Sequence, residues 1–147
     1  MRVLAVSSGG GHWIELLRIV EAFGGHELHF VTVQSEYRRD VGNAGFHTVR
    51  DATQWNSAGL AILVIQMLFV VLRVRPHLVV STGAAPGYFA LRLGRLMGAR
   101  TIWVDSLANV DELSRAGRMA GKHADLWLTQ WPALATPDGP EYAGRVL

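Results

Sequence analysis

A chain of 147 residues is one domain's worth of sequence, long enough to bury a hydrophobic core of its own. The absence of cysteine excludes a disulfide framework and a thiolate metal site, and it makes a cytoplasmic location the simplest interpretation. The formal charge is only +2 and the arginines are scattered, which argues against nucleic acid as a partner, while 50% hydrophobic and 18% charged residues favour a surface covered by a partner chain or a membrane.

The first part of the chain alternates short apolar runs with a helical pattern. Arg2–Ser7 predicts a buried strand, and the spacing of apolar residues over His12–Phe23 predicts a helix that ends at two glycines. His26–Val33 predicts a second strand and Phe46–Arg50 a short third one.

The most apolar stretch is Ala58–Leu72, in which Gln66 is the one polar residue. As a helix it would be about 22 Å long at roughly 1.5 Å per residue, short of the ~30 Å hydrocarbon core of a bilayer. We therefore predict burial in the domain or against a partner. Arg73 and Arg75 follow the stretch and leave shallow insertion beside anionic headgroups as an alternative, with a membrane span the least favoured arrangement.

The second part of the chain continues the alternation. Strands are predicted at His77–Thr82, Arg100–Asp105 and Asp125–Gln130, and helices at Gly87–Met97 and Asp111–Lys122.

This alternation predicts a Rossmann-like α/β domain, with a parallel sheet covered by helices on both faces, over residues 1–135. Residues 136–147 are rich in Pro, Gly and Ala and predict a C-terminal tail or linker stub. In such folds ligands bind beyond the carboxyl ends of the strands.

The loop after the first strand has the composition of an anion-binding loop. It runs Ser7-Ser8-Gly9-Gly10-Gly11-His12, and its candidate ligand-binding residues are Ser8, Gly9, Gly10 and Gly11. Glycines let backbone amides approach a phosphate, and the helix start adds partial positive charge; the alternative is a tight turn that only requires glycine. His12 follows and is a candidate general base or phosphate donor, the alternative being a capping or packing residue.

A second loop of the same kind follows the fourth strand. Its candidate ligand-binding residues are Gly83, Ala84, Pro86 and Gly87. Two such loops after parallel strands predict one shared anion-binding cleft. Asp105 and Ser106 end the fifth strand at the same edge. Asp105 is a candidate to orient a sugar hydroxyl or a histidine, with helix or turn capping as the alternative.

Three segments carry a resemblance to a known family. They are SSGGGHWIELLRI, RPHLVVSTGAAPGYFALRLGRLMG and TIWVDSLANVDELSRAGRMAGKHADLWLTQWP. Together they resemble the asparagine-linked glycosylation protein 14 family, whose bacterial members act in exopolysaccharide and capsule synthesis. A more distant likeness is to the peptidoglycan enzyme that glycosylates a lipid-diphosphate muramyl acceptor.

The resemblance implies one half of a GT-B glycosyltransferase that is split into two chains. This half would bind a lipid-diphosphate glycan acceptor at the cytoplasmic face of the membrane, as a peripheral protein, while a partner subunit binds the nucleotide sugar. It implies that Gly9, Gly10, Gly11 and His12 lie at the acceptor site, and that the second loop and Asp105 contribute to it. His12 or Asp105 would be the catalytic base, and the loop amides with Ser8 and Ser106 would hold the diphosphate.

The sequence departs from the family pattern in places. Thr82-Gly83-Ala84 stands for the usual Asn-Gly-Pro, and Asn109 stands where an arginine is common. The second departure weakens a phosphate clamp at that position.

Two other functions remain open at this stage. One is a stand-alone nucleotide- or dinucleotide-binding module, in which Glu36 could bind a ribose. Against it, Ile14 stands where the third glycine of the dinucleotide-binding motif belongs. The other is a structural membrane adaptor for a complete enzyme. No cofactor is predicted, and the remaining histidines lack metal-ligand spacing.

Overall fold

The computed structural model describes residues 1–52 and 56–146, which form a seven-stranded sheet. Its strands are β1 (Arg2–Val6), β2 (Glu27–Thr32), β3 (Gly45–Thr48), β4 (Leu78–Ser81), β5 (Arg100–Val104), β6 (Leu126–Thr129) and β7 (Glu141–Tyr142). The spatial order is β3-β2-β1-β4-β5-β6-β7, and every neighbouring pair is parallel. All strands therefore end at the same edge, here called the carboxyl edge.

In the part of the chain that the structure describes, four α-helices connect the strands. They are α1 (Gly11–Ile19), α2 (Ser57–Val74), α3 (Ala84–Leu96) and α4 (Arg115–Gly121). Three short 3₁₀ helices cover Val20–Phe23, Ser35–Asp40 and Pro132–Leu134.

The sheet is covered on both faces, as β1 shows. Val3 and Ala5 pack in a core with Trp13 and Leu16 of α1. Leu4 and Val6 point the other way, into a core that includes residues of α2, α3 and α4. Successive strand residues face opposite sides, so an unbroken apolar run is what a strand buried on both faces requires. The prediction of a Rossmann-like parallel α/β domain is confirmed.

The main difference in the second part of the chain concerns the helix predicted at Asp111–Lys122. The observed α4 begins only at Arg115, because Ser114 caps it: the Ser114 hydroxyl accepts a hydrogen bond from the Gly117 amide at 2.9 Å. The Ser114 amide donates to Asp105 at 2.9 Å, which holds the preceding residues in a non-helical loop.

The segment predicted as a tail or linker stub over 136–147 also differs, in the part that the structure describes. β7 extends the sheet beside β6, and the Arg145 guanidinium lies 4.3 Å from the Trp131 ring. The Arg145 Nε donates to the Gln130 carbonyl at 3.2 Å, and the Val146 amide donates to the Gln130 side chain at 3.0 Å. Residues up to 146 are thus packed on the domain, held by contacts that are distant in sequence.

α2 is longer than predicted and only one of its faces is buried. Its buried side is formed by Gly59, Leu63, Met67, Val70, Val71 and Val74. The opposite side exposes large apolar side chains, with Phe69 70% exposed and Ile65 55% exposed. In the described part of the chain, α2 is the one helix long and apolar enough to cross a membrane, with a mean hydropathy of 2.2 over 18 residues and a third of them buried; a helix at the core of a soluble protein can meet the same criterion.

Candidate functional site

The glycine loop after β1 closes tightly around the start of α1. Gly10 has φ of 64°, a left-handed conformation that favours glycine, and its carbonyl accepts from the amides of Trp13 and Ile14. The Gly10 amide donates to the Tyr37 hydroxyl at 3.0 Å, so it is already satisfied. The amides of Gly11 and His12, first in α1, have no acceptor within the helix, and they are the ones that can face an anion.

The structure brings His12 against the second loop. The His12 Nδ1 lies 3.0 Å from the Thr82 carbonyl oxygen, and the Thr82 hydroxyl donates to the His12 carbonyl at 2.7 Å. A carbonyl can only accept, so Nδ1 carries the proton of the neutral ring and Nε2 keeps its lone pair. The His12 side chain is 31% exposed.

The second loop is held in an unusual backbone conformation. Gly83 has φ of 150°, and a Cβ added there would lie 2.6 Å from the His12 Cε1. Ala84 has φ of 65°, which is uncommon for a residue other than glycine, and such strain collects at functional sites. The amides of Ala84 and Ala85 open α3 without an acceptor inside it, so this helix start also favours an anion.

Pro86 and Gly87 contribute to this loop in a different way than predicted. Both are buried in the first turn of α3. Pro86 has no amide hydrogen to offer an anion, and a Cβ on Gly87 would clash with the Ser81 hydroxyl. They therefore fit α3 to the end of β4, and the ligand-binding role predicted for them stays a prediction.

A buried carboxylate that the sequence did not single out lies beneath His12. Glu15 is 1% exposed and accepts from the Leu107 amide at 2.7 Å, from the Gln130 Nε2 at 2.7 Å and from the Ser106 hydroxyl at 3.0 Å. Its Oε2 lies 4.0 Å from the His12 Nδ1. Glu15 thus ties α1 to the segment after β5 and to the end of β6.

Both carboxylate oxygens of Asp105 already accept hydrogen bonds within the protein, which leaves neither free for a substrate. It is 1% exposed, and its two oxygens accept four hydrogen bonds, from the Trp103 indole at 3.1 Å, the Asn109 amide group at 3.1 Å, and the Ser114 hydroxyl and backbone amide at 2.6 and 2.9 Å. The catalytic role predicted for it stays a prediction that this geometry does not favour. Asn109 supplies one of these four hydrogen bonds.

Ser106 is engaged as well. Its hydroxyl donates to Glu15 and accepts from the Ala108 amide at 3.2 Å. A direct contact between Ser106 and a ligand, as predicted, would have to replace one of these bonds.

A cavity of about 410 Å³ lies at the carboxyl edge beside these groups. It is lined by Gly11, Glu15, Ser106, Leu107, Ala108 and Trp131. Trp131 is fixed there by a hydrogen bond from its indole nitrogen to the Leu107 carbonyl at 2.7 Å. The start of α1 borders this cavity through Gly11, and the hydrogen bond between His12 and Thr82 joins the same helix start to the loop before α3.

Sequence reasoning missed three residues of the site, Thr82, Glu15 and Gln130. Only Glu15 carried a readable signal, since it stands three residues after His12 on the face of α1 that also presents Trp13 and Leu16 to the core. Gln130 falls at the end of the predicted strand Asp125–Gln130. No local pattern marks it as a site residue, because its partner Glu15 is remote in sequence.

The other histidines lie away from this site. His29 and His47 stack with ring centroids 6.1 Å apart, and burial lowers the pKa of His47, helped by the nearby charges of His29 and Arg73. Across residues 1–52 and 56–146, no three His, Asp or Glu side chains are grouped so that they could hold a metal ion.

Comparisons with known proteins show what the whole chain is similar to. No protein-family model matches the chain. It is similar to UDP-N-acetylglucosamine transferase subunit ALG14. In Eremothecium gossypii the identity is 28% over 167 residues, covering 90% of this chain and 74% of the relative. In Yarrowia lipolytica it is 29% over 141 residues, covering 91% and 62%, and in Mus musculus it is 25% over 188 residues, covering 100% and 83%.

Solved structures share the fold. The MurG of Acinetobacter baumannii superposes with a TM-score of 0.79 at 10% identity, over 99% of this chain. The UDP-GlcNAc 2-epimerase of Methanocaldococcus jannaschii superposes with a TM-score of 0.65 at 12% identity, over 88% of this chain. The chain spans 46% of the MurG chain and 39% of the epimerase chain. Its fold is that of one half of a GT-B structure.

Proposed function

We propose that this chain is the acceptor-binding subunit of a two-chain glycosyltransferase. A partner subunit would bind the nucleotide sugar, and this chain would present a lipid-diphosphate glycan to it. The names of the similar proteins make UDP-N-acetylglucosamine the first donor to test. The exopolysaccharide or capsule context of bacterial relatives stays a prediction, since the relatives compared above are fungal and mammalian.

One observation carries this proposal: the hydrogen bond of 3.0 Å between the His12 Nδ1 and the Thr82 carbonyl. It joins the two glycine loops, so that the starts of α1 and α3 and the free imidazole nitrogen converge. Helix starts suit a diphosphate, and an imidazole lone pair suits a hydroxyl group. An acceptor made of a sugar and a diphosphate has both groups.

The proposed reaction is a direct displacement. The acceptor hydroxyl gives its proton to the His12 Nε2 while its oxygen bonds to the anomeric carbon of the donor. The bond from that carbon to the nucleotide diphosphate breaks, and the diphosphate leaves with the electron pair. The Glu15 carboxylate lies 4.0 Å from Nδ1 and stabilises the positive charge that the imidazole ring gains.

In this proposal His12 is the base and Asp105 is a structural residue. Four donors already use the Asp105 carboxylate, whereas the hydrogen bond from His12 to Thr82 uses only Nδ1 and leaves Nε2 to accept a proton. Asp105 positions the loop after β5, whose residues Ser106 and Leu107 hold Glu15 in turn.

The printed names of the similar proteins support a partner, because each names a subunit of a UDP-N-acetylglucosamine transferase. The cleft at the carboxyl edge and the segment after Trp131 are the surfaces that we propose for the partner. The exposed apolar face of α2 is the surface that we propose for peripheral contact with the cytoplasmic face of a membrane.

Substitution of His12 tests the proposal. In the complex with its partner, His12→Ala should lower kcat for sugar transfer by roughly 10²–10⁴-fold, the usual cost of losing a general base. His26→Ala is the matched control, because His26 is exposed at the opposite edge, beside the terminal amine. A near-normal rate for His12→Ala would contradict the assignment of the base.

A stand-alone dinucleotide-binding module predicts a different result. It requires saturable binding of NAD(P) by the chain without any partner. Glu36, the residue that could grip a ribose, lies exposed in the 3₁₀ helix Ser35–Asp40. No contact of the described residues favours this alternative over the transferase.

A further inference from the structure

A cavity lined by arginines and histidines lies at the amino ends of the strands, the edge opposite to the carboxyl edge. Its volume is about 570 Å³. Its charged and titratable lining residues are Arg2, Glu27, His29, His47, Arg73 and Arg75. Arg2 and Glu27 begin β1 and β2, and Arg73 lies in the last turn of α2. The mechanism proposed above does not use this cavity.

The cavity carries an excess of positive charge. It contains three arginines and one carboxylate, that of Glu27, whose Oε1 already lies 2.7 Å from the His29 Nε2. Within residues 1–52 and 56–146, no carboxylate oxygen lies within 4.0 Å of the guanidinium nitrogens of Arg2, Arg73 or Arg75. Like charges that are gathered without a counterion repel each other, so the cavity favours an anion.

The backbone at the end of α2 is arranged around these arginines. The Arg2 Nε donates to the carbonyls of Val74 and Arg75 at 2.9 and 3.0 Å, which fixes its guanidinium at the helix end. Arg75 itself has φ of 50° and ψ of 63°, a left-handed conformation in which glycine is the usual residue after a helix. The chain thus keeps an arginine where glycine would be less strained, and such strain collects at functional sites.

The two histidines of the cavity have unused polar atoms. In the described part of the chain, the His29 Nδ1 and the His47 Nε2 are buried and have no hydrogen-bond partner. Buried polar atoms are normally paired, and an unpaired one calls for a partner such as water or an ion. Burial lowers the pKa of His47, and the charges of His29 and Arg73 lower it further. The His47 ring therefore senses the charge in the cavity.

We propose that this cavity binds a phosphate group through the guanidinium groups of Arg2, Arg73 and Arg75. Guanidinium N–H groups match phosphate oxygens in pairs, and the negative charge of phosphate offsets the unpaired positive charge. The inference does not depend on the proposed transferase function.

Two sources supply this chemistry, a soluble phosphate and the headgroup of a lipid. The lipid is a source because α2 ends at the cavity. Phe69 is 70% exposed and lies four residues before Arg73, so both are on the same side of the helix. A phosphate at Arg73 is therefore within reach of a bilayer that contacts the exposed face of α2.

Histidine NMR on the isolated chain tests the inference, with inorganic phosphate as the probe and chloride keeping the ionic strength constant. Phosphate should shift the ring signals of His47 in a saturable way. It should also raise the pKa of His47, because an anion stabilises the protonated ring. His123 is the internal control: it follows α4 and does not line the cavity, so its signals should not move.

Paired variants locate the site. Arg73→Gln should weaken phosphate binding at least about tenfold, the usual loss for one charge-assisted hydrogen bond. Arg75→Gly should weaken it to a similar extent without lowering the stability, because glycine adopts the left-handed conformation freely. Arg18→Gln is the matched control: Arg18 is also exposed in the last turn of a helix, α1, but lies outside the cavity. Its affinity should equal that of the wild type.

Vesicles of phosphatidylcholine, with and without phosphatidic acid, distinguish the two sources. Weaker binding to phosphatidic acid by Arg73→Gln, but not by Arg18→Gln, supports the inference and assigns the phosphate to a lipid. Unchanged vesicle binding, together with lost affinity for inorganic phosphate, supports it with a soluble ligand. A His47 signal that phosphate does not shift in the wild-type chain, or equal phosphate affinities in the wild type, Arg73→Gln and Arg75→Gly, would overturn the inference.

Discussion

Gly83 is the residue on which the position of the proposed base depends most. Any Cβ at this position meets the His12 ring at 2.6 Å, and its φ of 150° is unfavourable for other residues. We expect Gly83→Ala to displace His12 and to lower the transfer rate of the reconstituted complex by at least about tenfold, since small misplacements of a reacting group are costly. The measurement is kcat beside the free energy of unfolding.

Gly98→Ala is the control for backbone strain. Gly98 has φ of 87°, but a Cβ there would meet nothing within 4 Å, and the residue lies after α3 at the far edge. Both variants should lose about 1 kcal/mol of stability from the left-handed backbone alone. Only Gly83→Ala should lose activity, and a normal rate for it would show that His12 does not need its present position.

Asp105 provides the contrasting prediction at this scale. Asp105→Asn replaces one acceptor oxygen by a donor amide, so donors from Trp103, Asn109 and Ser114 can no longer all be satisfied. We expect a loss of about 2–4 kcal/mol in the free energy of unfolding, measured by urea denaturation, while the folded fraction transfers sugar within about threefold of the wild-type rate.

Asp138→Asn, at an exposed position, serves as its control and should change neither quantity. If Asp105→Asn kept its stability but lost several orders of magnitude in rate, Asp105 would return as the candidate base.

At the scale of elements, the exposed face of α2 carries the prediction for membrane contact. Ile65→Asp with Phe69→Asp places two charges on that face, at side chains that are 55% and 70% exposed. We expect at least about tenfold weaker binding to vesicles of anionic lipid, because apolar burial at the interface is lost. Stability should change little, since neither side chain belongs to the core.

Leu96→Asp is the matched control for this surface. Leu96 is 78% exposed at the end of a different helix, α3. Its substitution should leave vesicle binding unchanged. Equal effects of the two changes, or none from the α2 variant, would mean that membrane contact does not run through α2.

The sequence predicts helices and strands correctly where the local pattern of apolar residues determines them. β1 and β5 fall within one residue of their predicted ends, because an apolar run buried on both faces is bounded by glycine or polar residues. The 3₁₀ helix Ser35–Asp40 has no periodic apolar pattern and was not predicted.

The start of α4 differs from the prediction because the Ser114 amide donates to Asp105, nine residues earlier, and Ser114 therefore lies before the helix. The residues of the site were likewise predictable only where local pattern decides their place. The loops and His12 follow from composition and order along the chain, whereas the bond from His12 to Thr82 joins residues 70 apart. Glu15 and Gln130 meet over a separation of 115 residues, which local pattern cannot indicate.

At the scale of the whole molecule, the chain is one Rossmann-like half of a GT-B structure, with its proposed acceptor groups at one edge. The similar proteins are named as transferase subunits, and we therefore propose that activity belongs to a pair of chains. Affinity purification of the tagged chain from its own cells, with mass spectrometry, should supply the partner.

Sugar transfer by the separate and combined chains tests this claim most directly. The assay uses UDP-N-acetylglucosamine and a prenyl-diphosphate-linked sugar, with this chain alone, the partner alone and both together. We predict transfer only by the combined chains. Turnover by either chain alone at the rate of the pair would contradict the split transferase.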